Sequence, residues 1–144
     1  MKVRRIIFAM TVVFGTSAQA DLFCENLNGI MNGSIHPSAG VTDVVSSQGA
    51  QCSTTLSMNG QTSSNCHWAY EFRADDATNA FETLSDQVAE CLQVTDSQSD
   101  QGVSHPDTYD LRIFSSARGE VGVSLKDKGA IQQTLVFLRI TPDP

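Results

Sequence analysis

Residues 52–72 read Cys52-Ser-Thr-Thr-Leu-Ser-Met58, then Asn59-Gly60, then Gln61-Thr-Ser-Ser-Asn65, then Cys66-His-Trp-Ala-Tyr-Glu-Phe72. Asn-Gly between two β-prone segments is a hairpin signal, because both residues tolerate positive φ. A turn centred on Asn59 or Gly60 brings Cys52 opposite, or nearly opposite, Cys66. Side chains alternate faces along a strand. Cys52, Leu56 and Met58 therefore share one face, and Cys66, Trp68, Tyr70 and Phe72 share one face of the partner strand. The spacing predicts a Cys52–Cys66 bridge on the apolar side of a hairpin. The aromatic row reads as core rather than as a platform for a sugar or base.

Two cysteines then remain, Cys24 and Cys91, and each falls on an apolar helical stripe. From Asp75 to Leu92 the apolar positions are Ala77, Ala80, Phe81, Leu84, Val88, Cys91 and Leu92, the i, i+3, i+4, i+7 pattern of an amphipathic helix. Asp75 or Asp76 can cap its start and favours its positive end. A second helix is expected from Asp21 to about Met31, with Phe23, Cys24, Leu27, Ile30 and Met31 on one side. A Cys24–Cys91 staple between the two helices follows. No Cys-x-x-Cys pair or zinc-ribbon spacing competes with this reading.

Beyond the second helix, residues 94–108 are polar and read as a long loop, a kind that is functional or mobile in compact domains. Three strands are expected after it. Tyr109, Leu111 and Ile113 alternate with Asp110, Arg112 and Phe114, and Val121, Val123 and Leu125 alternate with Gly122, Ser124 and Lys126. Arg118-Gly119 marks one turn and Asp127-Lys128-Gly129 the next. The last strand, Gln132 to Ile140, is apolar on both faces. It is therefore central, or one of its faces meets a partner. The expected fold is a single α+β domain over residues 21–144, in the order α-β-β-α-β-β-β. An antiparallel sheet of about five strands has two helices on one face and two disulfides.

The N-terminus has the three parts of an export signal. Lys2, Arg4 and Arg5 precede an apolar run from Ile6 to Phe14, and Ala18-Gln19-Ala20 has the small-x-small spacing of a cleavage site. The run is shorter than the roughly 20 residues that span a bilayer. Cleavage near Ala20 removes three positive charges, so the net charge of −7 becomes −10. The expected protein is periplasmic or secreted, without a membrane anchor in its mature form. Its acidity excludes nucleic acid as a partner.

Chemistry is sparsely signalled. His36, His67 and His105 are scattered, with no zincin-like spacing, so no metal and no cofactor are expected. His105-Pro106-Asp107 is read first as a turn. A rival reading makes His105 a base, with Asp107 and Asp110 as orienting carboxylates, in a small periplasmic hydrolase. No Gly-x-Ser-x-Gly elbow supplies a nucleophile. Lys126, Lys128 and Arg118 are candidates for a small basic patch. The sequence favours an exported binding or accessory protein whose partner is a protein of the cell envelope or extracellular space. A small-ligand carrier with a pocket between helix and sheet is a further alternative.

Overall fold

The hairpin over residues 52–72 forms one edge of the sheet. The computed structural model describes residues 17–35, 49–95, 98–104 and 107–144. Strands β1 (Gln51–Leu56) and β2 (Thr62–Glu71) pair antiparallel, with Cys52 directly opposite Cys66 and bonded to it. Gly60, not Asn59, takes the positive φ, at 84°. Asn59 instead closes the turn with its side chain: Oδ1 accepts the Gln61 N–H at 3.2 Å and pairs with the Ser57 hydroxyl. The turn is so short that the polar residues after it belong to β2. Ser63 and Ser64 are buried there, and the Ser63 hydroxyl bonds the Thr141 hydroxyl at 2.9 Å.

Helix α1 spans Ser17–Met31 and helix α2 spans Asp75–Leu92. α1 starts before Asp21 because Ser17-Ala18-Gln19-Ala20 contains no helix breaker, and Ala is the best helix former. The acidic pair at the start of α2 does not cap it. Ala74 occupies the cap position with no side-chain bond, and Asp75 and Asp76 lie in the first turn, where they still meet the positive end of the helix dipole. Cys24 and Cys91 join the two helices with a Cα–Cα distance of 5.1 Å.

The chain continues through β3 (Gln98–Ser104), β4 (Asp107–Ser116), β5 (Gly119–Lys128), a short 3-10 turn at Gly129–Ile131, and β6 (Gln133–Pro142). The sheet has six antiparallel strands in the order β1-β2-β6-β5-β4-β3. The strand beyond the expected five is β3. It occupies the middle of the stretch that reads as a loop, and it pairs with β4 from Gln98↔Ile113 to Ser104↔Asp107. An edge strand has one neighbour and needs no apolar row to be held. Its residues therefore lack the alternation that marks the other strands.

Both helices pack on one face of the sheet, here called inner. Phe23, Leu27, Ile30 and Met31 of α1 and Ala77, Phe81, Leu84, Val88 and Leu92 of α2 are buried. They meet the inner-facing sheet residues Cys66, Trp68, Phe114, Val121, Val123, Val136, Leu138 and Ile140. Trp68 is thus core, as its row implies, while Tyr70 and Phe72 are half-buried. These side chains form the core between the helices and the sheet.

At the β4–β5 turn, Gly119 has φ +135°, and a Cβ on it would lie 2.3 Å from the Thr141 carbonyl oxygen. The Asp143 N–H donates to the Arg118 carbonyl at 2.9 Å, tying the end of β6 to the same turn.

Candidate binding surface

The register decides what the other face of the sheet presents. His67, Phe137, Ser124, Leu111 and Asp100 lie in one row across β2, β6, β5, β4 and β3. The next row holds Ala69, Leu135, Lys126 and Tyr109, and the row on the other side holds Asn65, Arg139, Gly122 and Ile113. An antiparallel sheet with one wet face normally turns polar residues outward. Here β4 turns out Tyr109, Leu111 and Ile113, and β6 turns out Leu135 and Phe137, all half-buried. Among the described residues no helix or strand packs over them.

A trough of about 290 Å³ runs along β5 on this outer face. Its floor is low because β5 contributes Gly122 and Ser124, while Leu111 and Ile113 of β4 and Phe137 and Arg139 of β6 rise on either side. Glu120 stands at one end and Lys126 at the other. The Lys126 ammonium sits between two rings, 5.0 Å from Tyr109 and 5.2 Å from Phe137. Phe137 also meets the His67 ring at 5.5 Å. Burial, and then the negative charges of Asp100 and Asp110, raise the Tyr109 phenol above its ordinary value, so it stays neutral at physiological pH.

Of the residues singled out for catalysis, only Asp107 and Asp110 are described, and the fold does not bring their side chains together. Asp107 and Asp110 lie three positions apart on one strand, so they point to opposite faces of it. The Asp107 carboxylate accepts the Gly129 N–H at 2.9 Å and pairs with Lys128 at 3.4 Å. The Gly129 hydrogen bond, ahead of the Lys128 contact, holds its carboxyl below the ordinary carboxylate pKa against a smaller opposing effect of desolvation. Asp107 therefore pins the turn after β5. His105 and His36 and residues 1–16 of the export signal lie outside the described residues. Among the described residues no group of three His, Cys, Asp or Glu side chains is placed to hold a metal. The three basic residues do not form a patch. Arg118 lies in the turn before β5, bonded to Asn28 at 2.8 Å, while Lys126 and Lys128 lie at the other end of that strand.

One buried cluster has no counterpart in the sequence reading. Asp127 of β5 accepts the hydroxyls of Thr108 and Thr134, each at 2.6 Å, and the Arg73 guanidinium at 3.3 Å. Burial pushes its carboxyl up. The hydrogen bonds from Thr108, Thr134 and Arg73 outweigh burial and leave it below the ordinary value. The same Thr134 hydroxyl accepts the Arg73 backbone N–H at 2.7 Å, where Arg73 has φ +58°. These bonds tie the β2–α2 turn to β4, β5 and β6. The cluster is structural because every partner belongs to the fold itself. Nothing in the spacing of residues 73, 108, 127 and 134 announces it.

No family model matches the chain, and no curated protein matches it. Among solved structures it is similar to CalU16 from Micromonospora echinospora, with 11% identity over 64% of this chain and 66% of that one. The TM-score of 0.28 is too low for that likeness to carry an argument. Two disulfides are present, and no described helix is long and apolar enough to cross a membrane.

Proposed function

We propose that the protein is an exported, non-enzymatic binding domain that uses the outer face of its sheet. The observation that carries this reading is β6, a central strand with apolar side chains on both faces and, among the described residues, a helix layer over one of them. Val136, Leu138 and Ile140 lie in the core, while Leu135 and Phe137 face outward beside Leu111, Ile113 and Tyr109. These half-buried side chains reach the surface side by side rather than singly, and a contiguous apolar patch marks an interaction site. Export is supported by the N-terminal pattern and by the two disulfides, which persist in oxidising compartments.

A photo-crosslinking residue placed at Tyr109, with another at Glu90 on the exposed side of α2 as control, tests the proposal in a cell-envelope extract under oxidising conditions. Binding through the outer face yields a discrete adduct from position 109 and none from position 90. No adduct from either, or the same adducts from both, would remove the outer face as the binding surface.

A further inference from the structure

We infer that the trough along β5 binds a small amphiphilic carboxylate, its anionic head at Lys126 and its apolar body over Gly122 and Ser124. This rests on the reading of the outer face as a binding surface and names the ligand class. The first argument is charge. The chain is acidic, at −7, yet the trough is lined by two cations, Lys126 and Arg139, and one anion, Glu120. Glu120 and Arg139 are diagonal neighbours at one end, since Glu120 pairs across with Thr141 and Gly122 with Arg139. Glu120 stands beside Arg139 there, whereas the lining holds no carboxylate at the Lys126 end, where Asp100 and Asp110 act on the neighbouring Tyr109 from outside the trough. The Tyr109 and Phe137 rings hold the ammonium in place, which lowers the entropy lost when an anion docks on it.

The second argument is what the floor lacks. β5 is hydrogen-bonded on both sides, to β4 and to β6, so its backbone offers nothing to an incoming chain. An extended peptide, which binds sheets by adding to an edge, finds no backbone partners here. An aliphatic body needs none. From Gly122 to Lys126 the strand rises about 13 Å at roughly 3.3 Å per residue, a span that suits a medium-chain acid. The Ser124 and Tyr109 hydroxyls and the Asn65 amide are the remaining polar side-chain groups in the lining.

The test uses the oxidised protein and three probes sharing one tail: decanoate, decanol and decyltrimethylammonium. Binding is followed by calorimetry, and by the amide shifts of residues 122–126. Decanoate is expected to bind saturably, at least tenfold more tightly than decanol, with no saturable binding of the ammonium. Gly122→Leu fills the floor and Lys126→Met removes the anchor, and each should weaken decanoate at least tenfold. If Gly122→Leu does not fold, Gly122→Ala supplies the same readout on a smaller scale, because its Cβ meets nothing closer than Leu111 Cδ1 at 3.8 Å. Equal binding of decanoate and decanol, indifference to the filled floor, or no saturable decanoate binding would each overturn the inference. An adduct at position 109 without decanoate binding would leave the binding face standing and remove only this ligand.

Discussion

The Asp127 carboxylate accepts the Thr134 hydroxyl at 2.6 Å across adjacent strands, with both residues buried. Thr108 completes the cradle from β4 and Arg73 from the turn before α2. The Arg73 ion pair itself contributes little, since its side chain is half exposed. The neutral donors carry the site. Removing the acceptor leaves them unsatisfied, so Asp127→Ala should cost about 1–3 kcal/mol in urea unfolding. The folded carboxyl lies below its ordinary value of 3.8. Its stabilisation is therefore fully present above that pH, and is lost as pH falls through the lower folded value. The gap between wild type and Asp127→Ala should stay constant from neutral pH to about 5 and narrow below about 4. A gap that widens on acidification would contradict the assignment.

The two disulfides should differ in what they protect. Cys24–Cys91 closes a loop with a sequence separation of 67, and Cys52–Cys66 one with a separation of 14. Loop-closure entropy makes the first worth about 4 kcal/mol and the second about 3 at most. The first also holds α1 against α2, while the second holds an edge strand to its neighbour. Cys24→Ser with Cys91→Ser should lower the global unfolding midpoint more than Cys52→Ser with Cys66→Ser. Hydrogen exchange in the latter should rise first in β1. Equal exchange increases through α1 and β1 in that variant would argue against a local role.

The sequence made the inner half of this architecture readable and the outer half only in part. Phe81, Leu84 and Val88 announce their helix because a core stripe must repeat at helical spacing. The Cys52–Cys66 pairing is readable because one turn signal fixes the register. β3 is not, since an edge strand from Gln98 to Ser104 needs no apolar alternation. The trough is half readable. The double-sided apolarity of β6 marks a central strand or one with a face toward a partner, and β6 is central. That Gly122 and Ser124 lie between Leu111 and Phe137 depends on pairing across three strands, which no single segment encodes. The Asp127 cluster is invisible for the same reason.

α2 ends in a left-handed residue that is not glycine. Gln93 has φ +55°, its N–H donates to Glu90 O at 3.2 Å, and the Val94 N–H donates to Ala89 O at 3.1 Å, a Schellman closure. Glycine reaches this conformation without the Cβ penalty. Gln93→Gly should therefore stabilise the protein by roughly 0.5–1 kcal/mol, and Gln93→Val should destabilise it. Thermal unfolding of the two variants checks the sign. A loss of stability in the glycine variant would mean that the Gln93 side chain matters more than its backbone.

Two glycines on β5 should respond oppositely to the same added methyl group. At Gly119, φ is +135° and a Cβ would lie 2.8 Å from both Asp143 N and Pro142 Cα, besides the closer Thr141 oxygen. Those neighbours are backbone, so β6 would have to move. Gly119→Ala should cost about 2–3 kcal/mol from strain and overpacking. At Gly122 the backbone is ordinary strand and the nearest atom is a flexible side chain end at 3.8 Å. There a glycine only loses chain entropy, so Gly122→Ala should be neutral or stabilising by up to about 1 kcal/mol. Chemical unfolding of both variants side by side makes the comparison. If Gly122→Ala proved as damaging as Gly119→Ala, the floor of the trough would be tighter than the structure has it, and the space assigned there to a ligand would not exist.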